Sequence, residues 1–254
     1  MHTLEFQHYA ALFLAALVAG FVDAIAGGGG IITLPALMAV GLPPHLVLGT
    51  NKLQACFGSA MATWRYAGRG LMEIRKMGLL IACTALGAAA GTLTIQHLSQ
   101  EVLRHIMVVL LLVLFIYTCL ARDFGGVHKP HRIPHHVFAV LFGLLLGFYD
   151  GFFGPGTGTF WTVAFVVLAG LDLRRATGHT KVVNFTSNLV ALVFFLAAGQ
   201  VLLLVGLLMG VGQALGAFLG AHLVLHRGIR FIRVFFLGVV ALTLARLLYT
   251  TYLR

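Results

Sequence analysis

Long apolar tracts, separated by short polar loops, make up most of this chain. Several of them, such as Met77 to Gln96 and Val201 to Leu223, contain no Asp, Glu, Lys or Arg and approach the ~20 residues that a helix needs to cross a bilayer. The pattern gives ten apolar segments, five in each half: residues 8–24, 29–41, 50–66, 77–97, 104–121, 135–152, 157–170, 178–197, 200–222 and 231–252. It predicts an all-α, polytopic integral membrane protein.

Composition and charge favour a membrane protein over a soluble one. Hydrophobic residues make up 60% of the chain and charged residues 9%, whereas soluble domains carry roughly 25% charged residues; the mean hydropathy is +0.99. The net charge of +10 does not indicate nucleic-acid binding, because Lys and Arg lie mostly in short loops on one predicted side, as in cytoplasmic loops. We therefore expect an inner-membrane protein with both termini outside. Met1 to Gln7 carries no Lys or Arg, so we expect the first segment to be retained in the mature protein.

The two halves of the chain share the same unusual motifs, about 127 residues apart from Gly20 to Gly147. Glycine-interrupted hydrophobic segments that occur in both halves are a sequence pointer to the substrate site of a secondary transporter. The matching motifs are Gly20-Phe21-Val22-Asp23 with Gly147-Phe148-Tyr149-Asp150, Gly27 to Gly30 with Gly154 to Gly158, Gly49-Thr50-Asn51-Lys52 with Gly178-His179-Thr180-Lys181, and Ala85-Leu86-Gly87 with Ala214-Leu215-Gly216.

The second segment of each half, residues 29–41 or 157–170, is too short to span a bilayer comfortably at 1.5 Å per residue. We expect a helical hairpin that turns at the glycines, followed by three full transmembrane helices. Each half then has an odd number of net crossings, so the second copy inserts upside down and the architecture is an inverted repeat. The predicted units are a first transmembrane repeat (1–121), a basic cytoplasmic linker (122–136) and a second transmembrane repeat (137–254).

The glycine runs predict an anion site. Irregular backbone within a membrane survives only when it is buried in protein or lines a cavity, and N–H groups at the start of the following short helix lie at its positive end. The alternative is that the glycines only allow helices to pack closely. The candidate binding residues at the turns are Gly28, Gly29, Gly30, Gly156, Thr157 and Gly158.

Lys52 and Lys181 lie a few residues inside matching apolar segments. An ionisable side chain there is costly, and by default it is functional. On a helix, Asn184 and Asn188 share a face with Lys181, and cations with amide donors suit a small oxyanion. The alternative is that the lysines extend to a headgroup region. The candidate anion ligands on these segments are Asn51, Lys52, Thr180, Lys181, Asn184 and Asn188.

Asp23 and Asp150 are acidic residues at matching positions inside apolar tracts. A carboxylate in such a place could carry a coupling proton. Alternatively, each aspartate pairs with a lysine or caps a broken helix. We therefore predict a coupling or structural role for both.

No pattern predicts a catalytic centre, a cofactor or a metal site. The cysteines are isolated in apolar segments without a C-x-x-C motif, which indicates packing residues; they are Cys56, Cys83 and Cys119. Histidines crowd the central linker among Lys, Arg and Pro, which favours a solvated basic turn over a metal site; they are His128, His131, His135 and His136.

At these motifs the chain resembles the TauE/SafE family of sulfite exporters, also called TSUP, and in particular its YfcA-like branch. The resemblance implies an inner-membrane permease for sulfur-containing anions such as sulfite or organosulfonates, driven by an ion gradient. It is carried by Asp23 to Gly30 with Leu34-Pro35-Ala36, by Gly49 to Gln54, by Gly147 to Gly158 and by His179-Thr180-Lys181.

The sequence therefore predicts a proton-coupled secondary transporter that binds its anion near the midplane, between the two repeats. The alternatives are a passive anion channel, or a membrane-embedded assembly factor for thiols or haem; the latter is disfavoured because the position that matches Cys56 holds Phe185. The expected partners are a small anionic substrate and membrane lipid, with no nucleic acid. The sequence leaves a homo-oligomer open.

Overall fold

The computed structural model describes residues 5–103, 105–109 and 133–224, and within these ranges it is a bundle of α-helices without a β-strand. The predicted all-α fold is confirmed. Residues 100–103 and 105–109 are also helical. The elements are α1 (Phe6–Ala26), α2 (Gly30–Ala39), α3 (Pro44–Ala67), a 3-10 turn (Ile74–Met77), α4 (Gly78–Gln96), α5 (His135–Phe152), α6 (Thr157–Val167), α7 (Leu173–Ala197) and α8 (Leu203–Val224).

Two helices begin earlier than the apolar pattern predicts. α3 begins at Pro44 instead of residue 50, and proline suits the first position of a helix because its missing N–H has no partner there. α7 begins at Leu173 instead of residue 178, because the Asp172 carboxylate caps it by accepting from the N–H groups of Arg174 and Arg175, each at 3.1 Å. The predicted segment 231–252, most of 104–121 and most of the linker lie outside the described residues.

Within the described residues, five helical stretches are long and apolar enough to cross a membrane, whereas α2 and α6 have only 10 and 11 residues. α3 has 24 residues but is not among the five, because polar side chains such as Lys52 and Gln54 lower its hydropathy. The chain is a multi-pass membrane protein, and in its described part α3 is a long helix with polar side chains in its middle. The five stretches are Phe6–Ile25, Ile74–Gln96, His135–Phe152, Leu173–Ala197 and Leu203–Leu223.

A polar layer separates two clusters of buried apolar side chains. In α3, Val47 belongs to the first cluster and Tyr66 to the second. Between them lie the buried polar residues Thr50, Asn51, Lys52 and Gln54. In α8, Gln213 lies in the same way between Met209 and Ala217. The polar side chains are therefore at mid-height of the bundle, between two apolar cores.

The helices run between the two clusters in both directions. α1, α3 and α8 run from the first cluster to the second, and α4, α5 and α7 run from the second to the first. The parallel pairs α1–α8 and α4–α5 pack through glycines, since a Cβ on Gly216 would overlap the Leu17 carbonyl and one on Gly91 the Phe148 carbonyl. Each pair joins the first segment of one half to the fourth segment of the other. The inverted repeat and the bounds of the two repeats remain predictions.

Candidate functional site

The helix breaks between α1 and α2 and between α5 and α6 lie against each other. Gly27 and Gly28 have φ of 75° and 104°, and Gly154 and Gly156 have φ of 98° and 78°, a conformation that residues with a Cβ rarely adopt. A Cβ on Gly158 would lie 2.8 Å from Gly27 Cα, so the two turns are in backbone contact. The predicted turns at the glycines are confirmed, and at this point they also allow close packing.

Two lysine–aspartate pairs connect the halves of the chain. Lys52 Nζ lies 2.8 Å from Asp150 Oδ1, and Lys181 Nζ lies 3.1 Å from Asp23 Oδ2. Each lysine also donates to the backbone carbonyl of the same aspartate, near the negative end of α5 or α1. Both lysine side chains are at most 1% exposed. The extension of the lysines to a headgroup region is therefore wrong, and the pairing of each aspartate with a lysine is confirmed.

The two aspartates differ in their other partners. Asp150 Oδ2 accepts a hydrogen bond from the Ser187 hydroxyl. Asp23 Oδ1 instead accepts from the backbone N–H groups of Gly28 at 3.1 Å and Gly29 at 3.3 Å. In this structure, the predicted anion position before α2 thus holds the carboxylate of Asp23.

A cavity lies beside these pairs, lined by residues of both halves. The volume of the cavity is about 30 Å³, which is room for about two water molecules. Among the predicted site residues, Gly156, Thr180 and Lys181 do not line it; the structure adds Ala55, Gly154 and Gln213. The predicted residues that line it are Asp23, Gly28, Gly29, Gly30, Asn51, Lys52, Asp150, Thr157, Gly158, Asn184 and Asn188.

Asn51 is oriented so that it offers hydrogen-bond donors to the cavity. Its Oδ1 accepts from Thr33 Oγ1 at 2.6 Å and from Gln54 Nε2 at 2.8 Å. Because these two bonds fix the position of the oxygen, the NH₂ group is the part of the amide left to face the cavity. In the second half, Thr180 occupies the equivalent place and its hydroxyl lies 3.2 Å from that of Thr162.

Asn184 and Gln213 place buried amides against the two glycine turns. Asn184 Nδ2 lies 3.0 Å from where a Cβ on Gly158 would be, and Gln213 Nε2 lies 3.2 Å from the corresponding point on Gly29. Asn184 Oδ1 and Gln213 Oε1 are buried without a hydrogen-bond partner among the described residues. An unpaired buried polar atom costs about 1–3 kcal/mol, and these two amides make the wall of the cavity polar.

Sequence reasoning missed Gln213. It is a lone amide in the middle of the apolar tract from Val201 to Leu223, and it is 2% exposed. A polar residue in such a tract is itself a signal of function, and it could have been found in that way.

The cysteine and histidine side chains that the structure describes form no metal site. In the described ranges, no group of three His, Cys, Asp or Glu could hold a metal ion. Cys56 and Cys83 are buried free thiols, whereas Cys119 and the linker histidines His128 and His131 lie outside the described residues. The cavity described above is instead surrounded by ion pairs, side-chain amides and backbone N–H groups.

Comparison with known proteins agrees with this architecture. The family model described as "Sulfite exporter TauE/SafE" matches residues 12–247. The chain is 43% identical over 241 residues to "Probable membrane transporter protein YfcA" of Escherichia coli (strain K12), and this match covers 95% of this chain and 90% of that protein. It is 45% identical over 212 residues to "Probable membrane transporter protein ORF9" of Sinorhizobium sp, and this match covers 84% of this chain and 81% of that protein.

A third relative, "Probable membrane transporter protein" of Haemophilus influenzae, is 40% identical over 224 residues, 88% of each chain. No solved structure matches the chain. The relatives are described as membrane transporters and not as enzymes. The match covers nearly the whole chain, and the protein therefore belongs to the sulfite exporter TauE/SafE family of membrane transporters.

Proposed function

We propose that the protein is a secondary transporter of small sulfur-containing anions, such as sulfite or organosulfonates, in the bacterial inner membrane. The observation that carries this proposal is the cavity in the polar layer between the two apolar cores. Asn51 and Lys52 line it from the first half, and Asn184 and Asn188 line it from the second. The anion would bind there, between the repeats.

The donor set of the cavity supports an anionic ligand. Each of the two lysines is paired with an aspartate, so the two pairs together add no net charge. The ligand would be held mainly by directed donors: the Asn51 amide, the lysine at 52 and the backbone at the start of α2, where the helix dipole is positive. Such a set recognises a compact oxyanion through several oxygens at once.

The helix directions support alternating access between two inverted repeats. α1 and α3 run opposite to α5 and α7, their counterparts in the second half, and the turns of the two halves touch at Gly27 and Gly158. Rocking of one half against the other about this contact would expose the cavity to each side in turn. An imposed proton gradient would drive the cycle.

The test is uptake of labelled sulfite into proteoliposomes under an imposed pH gradient, with sulfate and an organosulfonate as competitors. Asn184→Asp places a negative charge in the cavity with almost no change of shape, so we expect uptake to fall at least about tenfold, or 1.4 kcal/mol in binding. Gln100→Glu makes the same chemical change at an exposed position and should leave uptake as in the native chain.

Saturable uptake that depends on the pH gradient and is lost in Asn184→Asp supports the proposal. Flux that rises linearly with concentration and ignores the gradient would instead identify a passive channel. Equal uptake by the native chain and Asn184→Asp would mean that the anion binds elsewhere.

A further inference from the structure

Asp23 occupies the place of a bound anion at the first glycine turn. Its Oδ1 accepts from the N–H groups of Gly28 and Gly29, and its Oδ2 accepts from Lys181 Nζ. Asp23 lines the cavity, whereas Lys181 does not. The carboxylate therefore stands between the cavity and a fully buried cation.

The buried cation requires one anionic partner. Lys181 is 0% exposed, and a buried charge that loses its partner destabilises a protein strongly. Protonation of Asp23 would remove that partner and weaken its bonds to the two N–H groups. A singly charged ligand that enters from the cavity would restore the charge balance at the same donors.

We infer that Asp23 and the substrate anion alternate as the partner of Lys181 and of the Gly28 and Gly29 N–H groups, so that one proton travels with one singly charged anion. This inference rests on the proposed transport function. In the cycle, a carboxylate oxygen of Asp23 takes a proton from the water on one side as the anion binds. On the other side the anion leaves, the proton returns to water and the carboxylate takes up its bonds again.

A second observation indicates that a ligand comes to this place. Gln213, which is 2% exposed, and Asn184, which is 5% exposed, line the same cavity, and each has a buried amide oxygen without a partner among the described residues. Gln213 Nε2 lies against Gly29. A sulfonate anion has no proton to donate to these oxygens, so it would bind on the NH₂ side of the amides, where Gln213 Nε2 lies 3.2 Å from the position of a Cβ on Gly29.

The charged and titratable surroundings of Asp23 are few. α7 contributes Lys181, and α3 contributes Tyr66, which donates to the Ala24 carbonyl. Lys52 of α3 and Asp150 of α5 line the same cavity as an ion pair, with Cys56 of α3 near that pair. α2 and α6 carry no titratable side chain. In α8 the titratable residue is His222, which lies 3.2 Å from Arg65 of α3.

The exchange selects the charge of the substrate. A proton on Asp23 and a monoanion in its former place leave the net charge of the site unchanged. A dianion would bring one uncompensated negative charge into a buried site, which is costly. We therefore expect electroneutral co-transport of sulfonates and hydrogensulfite, and poor transport of sulfate.

The experiment uses methanesulfonate in proteoliposomes, because this anion stays singly charged across the pH range and any coupled proton must then be bound by the protein. An imposed pH gradient should drive its accumulation, and clamping the membrane potential at either sign should change the rate less than about twofold. Asp23→Asn should lose accumulation, and any exchange of internal for external methanesulfonate that it retains should no longer vary with pH. The matched control Asp172→Asn, at the exposed cap of α7, should accumulate like the native chain, since Asn caps helices as well as Asp does.

A second measurement does not depend on a variant that must fold. Titration of methanesulfonate into the native protein in weakly buffered detergent solution, with a pH dye, should report uptake of about one proton per anion bound. Binding without proton uptake, or accumulation by Asp23→Asn equal to that of the native chain, overturns the inference while the transport function stands. If the native chain exchanges neither methanesulfonate nor sulfite, the proposed function fails, and the inference fails with it.

Discussion

Asp150 and Asp23 occupy equivalent positions in the two halves of the chain, and both pair with a lysine from the opposite half. Asp150 is bonded to two side chains, Lys52 and Ser187, and is 4% exposed. Asp23 is bonded to one side chain and two backbone N–H groups, and is 16% exposed. The first pair resembles a fixed structural contact, whereas the second has the access that an exchangeable partner needs.

The difference follows from two pairs of matched positions. With Asp150 aligned on Asp23, the counterpart of Gly28 is Pro155, which has no backbone N–H to donate. With Lys181 aligned on Lys52, the counterpart of Ser187 is Gly58. No hydroxyl is available there for Asp23, and a Cβ on Gly58 would lie 3.0 Å from Gln213 Nε2. The carboxylate of Asp23 bonds instead to the glycine turn and remains at the edge of the cavity. The two matched motifs thus place their aspartates in different surroundings through small side-chain changes.

The largest expected effect comes from breaking the buried pair. Asp150→Ala leaves the charge of Lys52 buried without its partner, so we expect the free energy of unfolding to fall by about 3–5 kcal/mol. Asp23→Ala should cost less, because Asp23 is the more exposed aspartate, at 16% against 4%, and removing its carboxylate opens the cavity toward Lys181. Thermal unfolding of the detergent-solubilised variants, followed by helical circular dichroism, measures both.

The double variant Asp150→Leu with Lys52→Met is the control for this comparison. It removes both charges together, and replacing a buried pair by apolar residues of similar volume is often close to neutral. Most of the lost stability should therefore return. Equal destabilisation by Asp150→Ala and Asp23→Ala would contradict the distinction between a fixed and an exchangeable pair.

A smaller effect is expected at the contact between the two turns. Gly158 lies in α6 with an ordinary helical backbone, so Gly158→Ala acts only through its Cβ, which would lie 2.8 Å from Gly27 Cα. Such overpacking costs about 1–3 kcal/mol, and a shift of the turns should also reduce transport of labelled sulfite. Gly78→Ala, at the start of α4 with no atom within 4 Å of the new Cβ, is the matched control. Unchanged transport by Gly158→Ala would mean that the turns need not touch for activity.

Local signals were enough to predict the helices, the breaks and most of the cavity lining. The apolar tracts predicted α1, α4 and α5 closely, and a charged residue inside such a tract is visible without a structure. The starts of α3 and α7 were missed. The first turn of α3 begins with Pro44 and His45, and that of α7 contains Arg174 and Arg175, so neither helix begins with an apolar run.

The pairing of charges could not be predicted in the same way. Lys52 and Asp150 are 98 residues apart, and Lys181 and Asp23 are 158 apart, so which lysine meets which aspartate depends on the packing of both halves. The sequence left open whether the aspartates carry protons or pair with the lysines. The glycine turn was predicted as a site for a substrate, and the carboxylate of Asp23 at that site is visible only in three dimensions.

The smallest effect tests why Asp150 is held more firmly than Asp23. Ser187→Ala removes the hydroxyl that donates to Asp150 Oδ2 and leaves Lys52 in place; we expect a loss of about 1 kcal/mol in stability, since hydrogen bonds between transmembrane helices contribute modestly. Thr186→Ala is the control. The hydroxyls of Thr186 and Ser187 each contact the backbone carbonyl four residues earlier, but only the Ser187 hydroxyl also contacts an aspartate. If the two variants unfold at the same temperature, the hydroxyl does not distinguish the two pairs. If Ser187→Ala alone is less stable, then the hydrogen bond from the Ser187 hydroxyl contributes to holding Asp150 more firmly than Asp23.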